Sequence, residues 1–316
     1  MLTLGIDTSN YTTSAALCDF DGARVAHLQR LLPVQPGEMG LRQSEALFHH
    51  TVQLPQVLEQ LLPQAELPIA AVGVSDRPRN AEGSYMPCFL AGVAVAQGVA
   101  GALKVPLRRF SHQQGHLAAA LFSAARMDLM EREFLAFHVS GGTTEMLHVR
   151  PGLQAKIIGG SDDLKAGQLV DRVGGFLGYP FPAGAALDAL AQTGALIPGI
   201  KPSTKGLWCS LSGIENTTRR MYTRGVKKED IALFTLVSVT VNLESLAQAA
   251  FREQGTLPLV FSGGVCCSTI LRGLLLERFP DAVFAAPEFS SDNAAGIAVL
   301  AGALFIQGNE PCNTNH

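Results

Sequence analysis

Hydrophobic and polar positions follow strand-like and helix-like periods in a regular order along the first 130 residues. Three β-rich runs precede an amphipathic helix, and a short apolar strand, an Ala/Gly-rich helix, a further strand and a further helix follow. The predicted segments are 2–6, 13–18, 23–29, 44–62, 70–74, a helix from 88, 105–110 and a helix from 112. The pattern predicts the element order βββαβαβα.

The second half of the chain repeats this order. Its predicted strands are 134–139, 146–149 and 154–158, followed by an insertion over 161–225, a helix over 230–254, a strand ending in SGG, a helix over 269–278, a strand near 283 and a helix from 292. Such a repeat predicts an α/β fold of two duplicated lobes around a central cleft. We expect the lobes to be 1–129 and 130–316, with the apolar, partly helical insertion covering the cleft.

The amino-acid composition argues against several classes of protein. Hydrophobic residues make up 47% of the 316 residues and charged residues 16%, which is ample material for a large core. The net charge of −3 argues against a strong nucleic-acid binder acting alone. The six cysteines have no paired zinc or disulfide spacing, and the longest apolar run, from Cys88, is too short to span a membrane. We therefore expect a cytoplasmic protein without a membrane partner.

Two histidines suggest a metal site. His112 and His116 are four residues apart at the start of a predicted helix, so both side chains lie on one helix face and can bind one ion. Asp292, just ahead of the last predicted helix, is the candidate third ligand. The alternative is that both histidines are ordinary first-turn residues, since the glutamate of HExxH is absent.

Glycine-rich turns suggest a nucleotide site. SGG occurs at 140–142 and 262–264, each after a predicted strand, and PAG occurs at 182–184. Glycine lets backbone N–H groups approach a phosphate closely, although tight turns use glycine in any case. Asp171 is a candidate ribose acceptor or, alternatively, an ion-pair partner of Arg172. Asp7 is a candidate phosphate- or metal-facing acid or an Asx-turn residue. Walker A and GxGxxG patterns are absent.

Seven segments occur in an order that resembles one family over nearly the whole chain. They are GIDTS, HQQGH, HVSGGTTE, DDLKAGQLVDRVGGFLGYPFPAG, CSLSGIENT, SGGV and SSDNAAGIA. The chain is similar to the TsaD family, once called glycoprotease, of the actin/Hsp70 ATPase-like superfamily. The resemblance implies two RNase H-like lobes. It also implies transfer of threonylcarbamoyl from threonylcarbamoyl-AMP to the exocyclic amine of the adenosine beside a tRNA anticodon.

The resemblance also implies roles for individual residues. One divalent metal, iron or zinc, would be bound by His112, His116 and Asp292. Asp7 and Thr143 would be catalytic. Residues that would contact the adenylate are Val139, Ser140, Gly141, Gly142, Thr143, Asp171, Gly184, Gly264 and Ser268. Besides tRNA, the expected partner is a smaller homologous protein, paired through the helix from residue 44 or the one after Cys88.

Several motifs depart from the family pattern. GIDTSNYTT stands where the family has GIETSCDET, SGGTT where it has SGGHT, and SGIENT where it has SGLKT. Two alternatives therefore stay open beside the transferase. One is a divergent paralogue that uses another acceptor or hydrolyses the adenylate, and the other is a non-catalytic nucleotide-binding partner of an authentic family member. A glycoprotease is disfavoured because neither HExxH nor a nucleophile elbow is present.

Overall fold

The computed structural model describes residues 1–9, 11–19, 25–33, 41–290 and 294–309, without the side chains of 305–309. The described residues form two units. One contains residues 1–127 together with the C-terminal helix, and the other contains residues 128–291.

The first unit is a five-stranded sheet with helices. Its elements are β1 (Leu2–Ser9), β2 (Thr12–Asp19), β3 (Val25–Leu31), α1 (Gln43–Leu61), β4 (Ile69–Arg77), α2 (Phe89–Leu103), β5 (Leu107–Ser111) and α3 (His112–Ser123). The strand order is β3-β2-β1-β4-β5. β1 pairs antiparallel with β2 and parallel with β4, so a hairpin meander is extended by crossover strands.

The second unit repeats this plan with an insertion. Its elements are β6 (Phe134–Val139), β7 (Thr144–Arg150), β8 (Gln154–Ser161), α4 (Ala166–Leu177), α5 (Gly184–Ala191), β9 (Thr204–Lys205), β10 (Trp208–Cys209), α6 (Ser212–Thr223), α7 (Lys228–Gln254), β11 (Leu259–Ser262), α8 (Thr269–Arg278) and β12 (Val283–Phe284). The last helix, α9 (Ala295–Asn309), groups with the first unit. The strand order β12-β11-β6-β7-β8 is extended at the β8 edge by β10 and β9.

Both sheets have the same topology. Counted along each copy, the order third-second-first-fourth-fifth applies to β3-β2-β1-β4-β5 and to β8-β7-β6-β11-β12. The predicted duplication is therefore confirmed, and the predicted segments are found in the predicted order. The inserted stretch forms the helices α4, α5 and α6 and the β9–β10 hairpin.

The C-terminal helix departs from the expected lobe boundary. The sequence repeat assigns it to the second lobe, but α9 packs on β1, β4 and α3 of the first unit. Small residues make this contact possible, because a Cβ on Gly296 would lie 1.9 Å from the Gly115 carbonyl oxygen. A Cβ on Gly5 would lie 2.5 Å from the Ala294 carbonyl oxygen. Close packing, which hydrophobic periodicity does not encode, decides which sheet this helix covers.

The longest helix, α7, lies at the centre of the hydrophobic core of the second unit. Ile231, Leu236, Leu243 and Leu246 of α7 are buried with Phe137 and Phe261 of the neighbouring strands. Among the described helices, α7 alone has the length and hydropathy of a membrane span, and 61% of its apolar window is buried inside the protein. Its apolar surface is therefore used for packing within this unit.

Candidate metal and nucleotide sites

The two predicted metal ligands lie together at the start of α3. Ser111 caps this helix, since its Oγ accepts the Gln114 N–H at 3.2 Å and the Gln114 side chain accepts the Ser111 N–H at 2.9 Å. His112 and His116 follow one turn apart, and their Nε2 atoms are 2.9 Å from each other. This separation is that of a hydrogen bond between the two rings, whereas two imidazoles that bind one tetrahedral ion at about 2.1 Å have nitrogens about 3.4 Å apart. Both nitrogens lie on one helix face, about 0.5 Å closer than the spacing of two ligands of one tetrahedral metal.

A buried carboxylate orients the first of these histidines. His112 Nδ1 donates to Asp7 Oδ2 at 2.6 Å, and Ser75 Oγ donates to Asp7 Oδ1 at 2.5 Å. Asp7 is 1% exposed. A proton held on Nδ1 by a carboxylate places the lone pair of that ring on Nε2, which is the tautomer that binds a metal. Asp7 is therefore a partner of His112, a contact that the sequence analysis did not predict.

The third predicted ligand, Asp292, lies outside the described residues. Within the described ranges, no group of three His, Cys, Asp or Glu side chains is placed to hold a metal ion. The assignment of Asp292 therefore stays a prediction.

A cavity of about 670 Å³ lies within the second unit. This volume is in the range of small-molecule sites in proteins. The lining includes five of the residues predicted to contact an adenylate, namely Gly141, Asp171, Gly184, Gly264 and Ser268. The other four, Val139, Ser140, Gly142 and Thr143, belong to the end of β6 and the turn that contributes Gly141. This turn is closed by the Ser140 N–H, which donates to the Thr143 carbonyl at 2.8 Å.

Three helices begin at this cavity. Gly167 in the first turn of α4, Gly184 at the start of α5 and Ser268, which caps α8, all line it. Gly167 lets α4 approach the SGG turn, because a Cβ there would lie 2.5 Å from the Gly141 nitrogen. Helix N-termini carry N–H groups without an intrahelical partner and the positive ends of helix dipoles. At α8 the first N–H groups already donate to Asp188, and at α4 they donate to Thr144 Oγ1 and the Ser140 carbonyl. The start of α5 and the SGG turn are therefore the parts of the wall suited to an anion such as a phosphate.

Two carboxylates in the wall add hydrogen-bond acceptors. Asp171 Oδ1 accepts the Ala183 N–H at 2.8 Å, and Arg172 pairs with Glu215 rather than with Asp171. The alternative interpretation of Asp171 as a partner of Arg172 is thus wrong. Sequence reasoning missed Asp188, which accepts from Ser268 Oγ at 2.5 Å and from Thr269 Oγ1 at 2.7 Å.

The hydrogen bonds keep Asp188 ionised. Burial by itself raises the pKa of this carboxyl, but hydrogen bonds from Ser268, Thr269 and the Ile270 N–H outweigh it, so the pKa lies below its usual value. The available signal in the sequence was one acid within the otherwise apolar helix GAALDALA.

Comparison with known proteins assigns the chain to one family. Residues 34–299 match the model of TsaD, tRNA N6-adenosine threonylcarbamoyltransferase. The chain is 30% identical over 98% of its length to the protein of that name from Anoxybacillus flavithermus, covering 93% of that protein. It is 26% identical over 94% of its length to the one from Methanopyrus kandleri, covering 86% of it.

A solved structure supports the fold. The Acidaminococcus fermentans (R)-2-hydroxyglutaryl-CoA dehydratase component A is similar at a TM-score of 0.57, with 16% identity, over 96% of this chain and 98% of that one. At this identity the similarity concerns the fold, which is the actin/Hsp70 ATPase-like fold of two RNase H-like lobes. The family match and the relatives carry the assignment of function. The chain therefore belongs to the TsaD family of tRNA N6-adenosine threonylcarbamoyltransferases, transferases that modify tRNA.

Proposed function

We propose that this chain transfers the threonylcarbamoyl group from threonylcarbamoyl-AMP to the exocyclic amine of the adenosine adjacent to a tRNA anticodon. The observation that carries the proposal is the cavity at which α4, α5 and α8 begin, with Asp171 and Asp188 in its wall. It offers N–H donors for a phosphate and carboxylate acceptors for ribose hydroxyls. We place the adenylate there, and we place the activity in the cytoplasm.

In the proposed reaction, the adenosine amine attacks the carbamoyl carbonyl carbon. A new N–C bond forms, the bond from this carbon to the phosphate oxygen breaks, the amine proton is released, and AMP leaves with the bonding electrons. The N–H groups of Gly141 and Gly142 in the SGG turn and those of the first turn of α5 would stabilise the charge on the departing phosphate. Asp171 would accept a ribose hydroxyl hydrogen. Ser268, held by Asp188 and by the Leu271 N–H, would present its remaining lone pair to the nucleotide.

His112, His116 and Asp292 would hold one divalent metal, iron or zinc. When bound, such an ion supplies Lewis-acid polarisation of a carbonyl oxygen. The contacts of Asp7 favour a role in positioning His112. Thr143 stays a catalytic candidate in the turn that carries Gly141, where its N–H donates to Ser140 Oγ at 3.2 Å.

Calorimetry with AMP, ATP and a non-hydrolysable threonylcarbamoyl-adenylate analogue tests the nucleotide site. We expect Asp171→Asn to weaken AMP binding by roughly 10- to 150-fold, the range for a hydrogen bond to a charged group. The asparagine oxygen still accepts from Ala183, so the fold is preserved. The variant should bind 2′,3′-dideoxy-AMP as the parent protein does. Failure of all three nucleotides to bind with metal present would reject the site.

Elemental analysis tests the metal site. The parent protein should contain about one iron or zinc per chain, and the double variant His112→Ala/His116→Ala should contain none. An unchanged metal content in the double variant would show that the ion is bound elsewhere.

The acceptor is tested in cells. Mass spectrometry of tRNA nucleosides after deletion of the gene should show loss of threonylcarbamoyladenosine, and expression of this chain should restore it in a strain that lacks an authentic family member. Modified nucleoside that persists after deletion, together with failed complementation, would favour the divergent paralogue or the non-catalytic partner. The altered GIDTSNYTT and SGGTT motifs make this comparison necessary.

A further inference from the structure

One segment of this acidic chain is strongly basic. Residues 201–228 contain seven of the 24 basic residues and one of the 27 acidic residues, a formal charge of +6 against −3 for the whole chain. The single acid, Glu215, is mostly buried and paired with Arg172 and Arg219. Burial by itself raises the pKa of Glu215, but hydrogen bonds from the two arginines outweigh it and keep it ionised. Lys201, Lys205, Arg220, Arg224 and Lys227 are exposed.

The β9–β10 hairpin adds an aromatic side chain to this segment. Trp208, the only tryptophan of the chain, lies opposite Lys205 in the antiparallel register. Successive side chains of a strand point to opposite faces, so the burial of Cys209, which is 2% exposed, directs Trp208 outward. Trp208 is 40% exposed. A cation and a large aromatic ring are thus adjacent on the edge of the second sheet.

The hairpin is held firmly against the rest of the unit. The Ser203 N–H donates to Asn242 Oδ1 at 2.9 Å, and Thr204 Oγ1 lies 3.0 Å from Ser245 Oγ, both partners being on α7. A Cβ on Gly159 would lie 2.0 Å from the Leu207 carbonyl oxygen, so the hairpin backbone packs closely on β8. The exposed ring is therefore presented on a fixed support, which reduces the entropy cost of binding a ligand.

We propose that this hairpin binds the single-stranded loop of the RNA acceptor, with an unpaired base stacked on Trp208 and backbone phosphates on Lys201 and Lys205. Proteins that bind single-stranded nucleic acid combine a basic surface with exposed aromatic rings on which bases stack. The inference rests on the proposed function, in which RNA is the acceptor. β10 is three strand spacings from β6, roughly 14 Å. The hairpin therefore contacts nucleotides that flank the reacting adenosine.

The single tryptophan makes a direct test possible, because all indole fluorescence comes from Trp208. We expect titration of the full-length chain with an anticodon stem-loop RNA to quench this fluorescence. A fully paired RNA duplex of equal length should leave it unchanged. Fluorescence anisotropy of labelled RNA gives the dissociation constant independently.

Variants separate stacking from charge. Trp208→Ala should weaken stem-loop binding by about 5- to 150-fold, and Trp208→Phe, which keeps an aromatic ring, should restore most of the affinity. Lys205→Gln should lower the slope of log affinity against log salt by about 0.7. Lys104→Gln, an exposed lysine of the first unit, should change neither quantity. Since Trp208 and both lysines are exposed, unchanged circular dichroism is expected for all four variants.

The outcomes distinguish this inference from the proposed function. Unchanged stem-loop affinity in Trp208→Ala overturns the hairpin as the binding surface, and so does absence of stem-loop binding by the parent chain. Either result leaves the transferase standing if threonylcarbamoyladenosine is still formed. Binding that depends on Trp208 in a chain that forms no threonylcarbamoyladenosine supports the hairpin and refutes the transferase.

Discussion

The contact between Asp7 and His112 links two residues that are 105 positions apart, and it predicts a change in metal affinity. Asp7→Asn keeps the side-chain shape but removes the negative charge and one accepting oxygen, which is the partner either of Ser75 or of His112 and Ser9. Loss of such a carboxylate partner typically costs 10- to 100-fold in metal affinity. We expect a weakening of about this size for zinc, measured by competition with a fluorescent chelator.

Ser9→Ala is the matched control for Asp7. Ser9 is equally buried and donates to the same carboxylate at 3.3 Å, and Ser9→Ala leaves the charge of Asp7 in place. It should leave zinc affinity nearly unchanged. Equal zinc affinity in Asp7→Asn and the parent protein would refute the positioning role of Asp7.

Single residues were predictable where local spacing decides their position. The i,i+4 rule brought His112 and His116 together, and glycine after a strand identified Gly141 and Gly264 at the cavity. Contacts between distant residues were not predictable in this way. Asp188 reaches Ser268 across 80 positions, and in the sequence it reads as an ordinary polar position on a helix. Pairings of this kind follow from tertiary packing, which one sequence does not display.

At the scale of elements, the crossing of α9 and α3 predicts a large effect for one methyl group. Gly296→Ala places a Cβ 1.9 Å from the Gly115 carbonyl oxygen and 2.8 Å from the Ala119 nitrogen, so the helices must separate. Overpacking of this kind typically costs 1–3 kcal/mol. We expect the free energy of unfolding in urea to fall by about 2 kcal/mol or more.

Gly98→Ala is the control for this helix crossing. Gly98 is exposed within α2, and a Cβ there would meet no atom within 4 Å. Alanine is a better helix former than glycine, so stability should rise by up to about 1 kcal/mol. Equal effects of the two substitutions would show that close packing of α9 is not what Gly296 provides.

The hydrogen bonds that Asp163 accepts at the start of α6 predict that the stability of the protein depends on pH. Asp163 accepts from Ser210 Oγ at 2.6 Å and from the N–H groups of Leu211 and Ser212 at 2.8 and 3.2 Å. Burial by itself raises the pKa of Asp163, but these hydrogen bonds outweigh it and hold the pKa below its usual value. Because the folded pKa is depressed, the stabilisation is present above the unfolded value near 3.9 and is lost as the pH falls through the folded value.

We therefore expect Asp163→Asn to destabilise the protein at pH 7 by about 1 kcal/mol, because the amide has one accepting oxygen instead of two and lacks the charge that strengthens these hydrogen bonds. The difference from the parent protein should persist down to about pH 5 and shrink below pH 4. Urea unfolding at pH 7, 5 and 3.5 measures it. A difference that is constant over this range would mean that the ionised carboxylate is not the stabilising form.

Elements were the most predictable level of the structure. The β-rich runs and the repeated meander predicted the strands of both sheets, and the strand pairing agrees with them. The assignment of α9 failed for a physical reason. Its sequence is apolar on all sides, so its pattern does not indicate which sheet it covers, and the choice depends on glycines at Gly5, Gly73 and Gly115.

At the scale of the whole molecule, the charge distribution and the exposed apolar residues bear on the proposed partner. The net charge is −3, and the basic residues are concentrated in residues 201–228. Phe48 and Val52, four residues apart on α1, are 63% and 47% exposed, and Leu90 on α2 is 47% exposed. These helices were predicted from the sequence as the surface for a smaller homologous protein. We keep that pairing as a proposal, which the exposed side chains support.

The last prediction concerns tRNA binding by the isolated chain. One short basic segment makes few phosphate contacts, so the affinity should be near that of non-specific binding, with a dissociation constant of about 1–100 μM at physiological salt. Addition of the smaller homologue from the same cell should tighten binding at least tenfold, because the second protein adds contacts to the same RNA.

Phe48→Asp should abolish this gain and leave the affinity of the isolated chain unchanged, since Phe48 belongs to the first unit and lies outside the basic segment. Titrations of labelled tRNA with and without the homologue measure all three values. Submicromolar, tRNA-selective affinity of the isolated chain would refute this reading of the charge distribution.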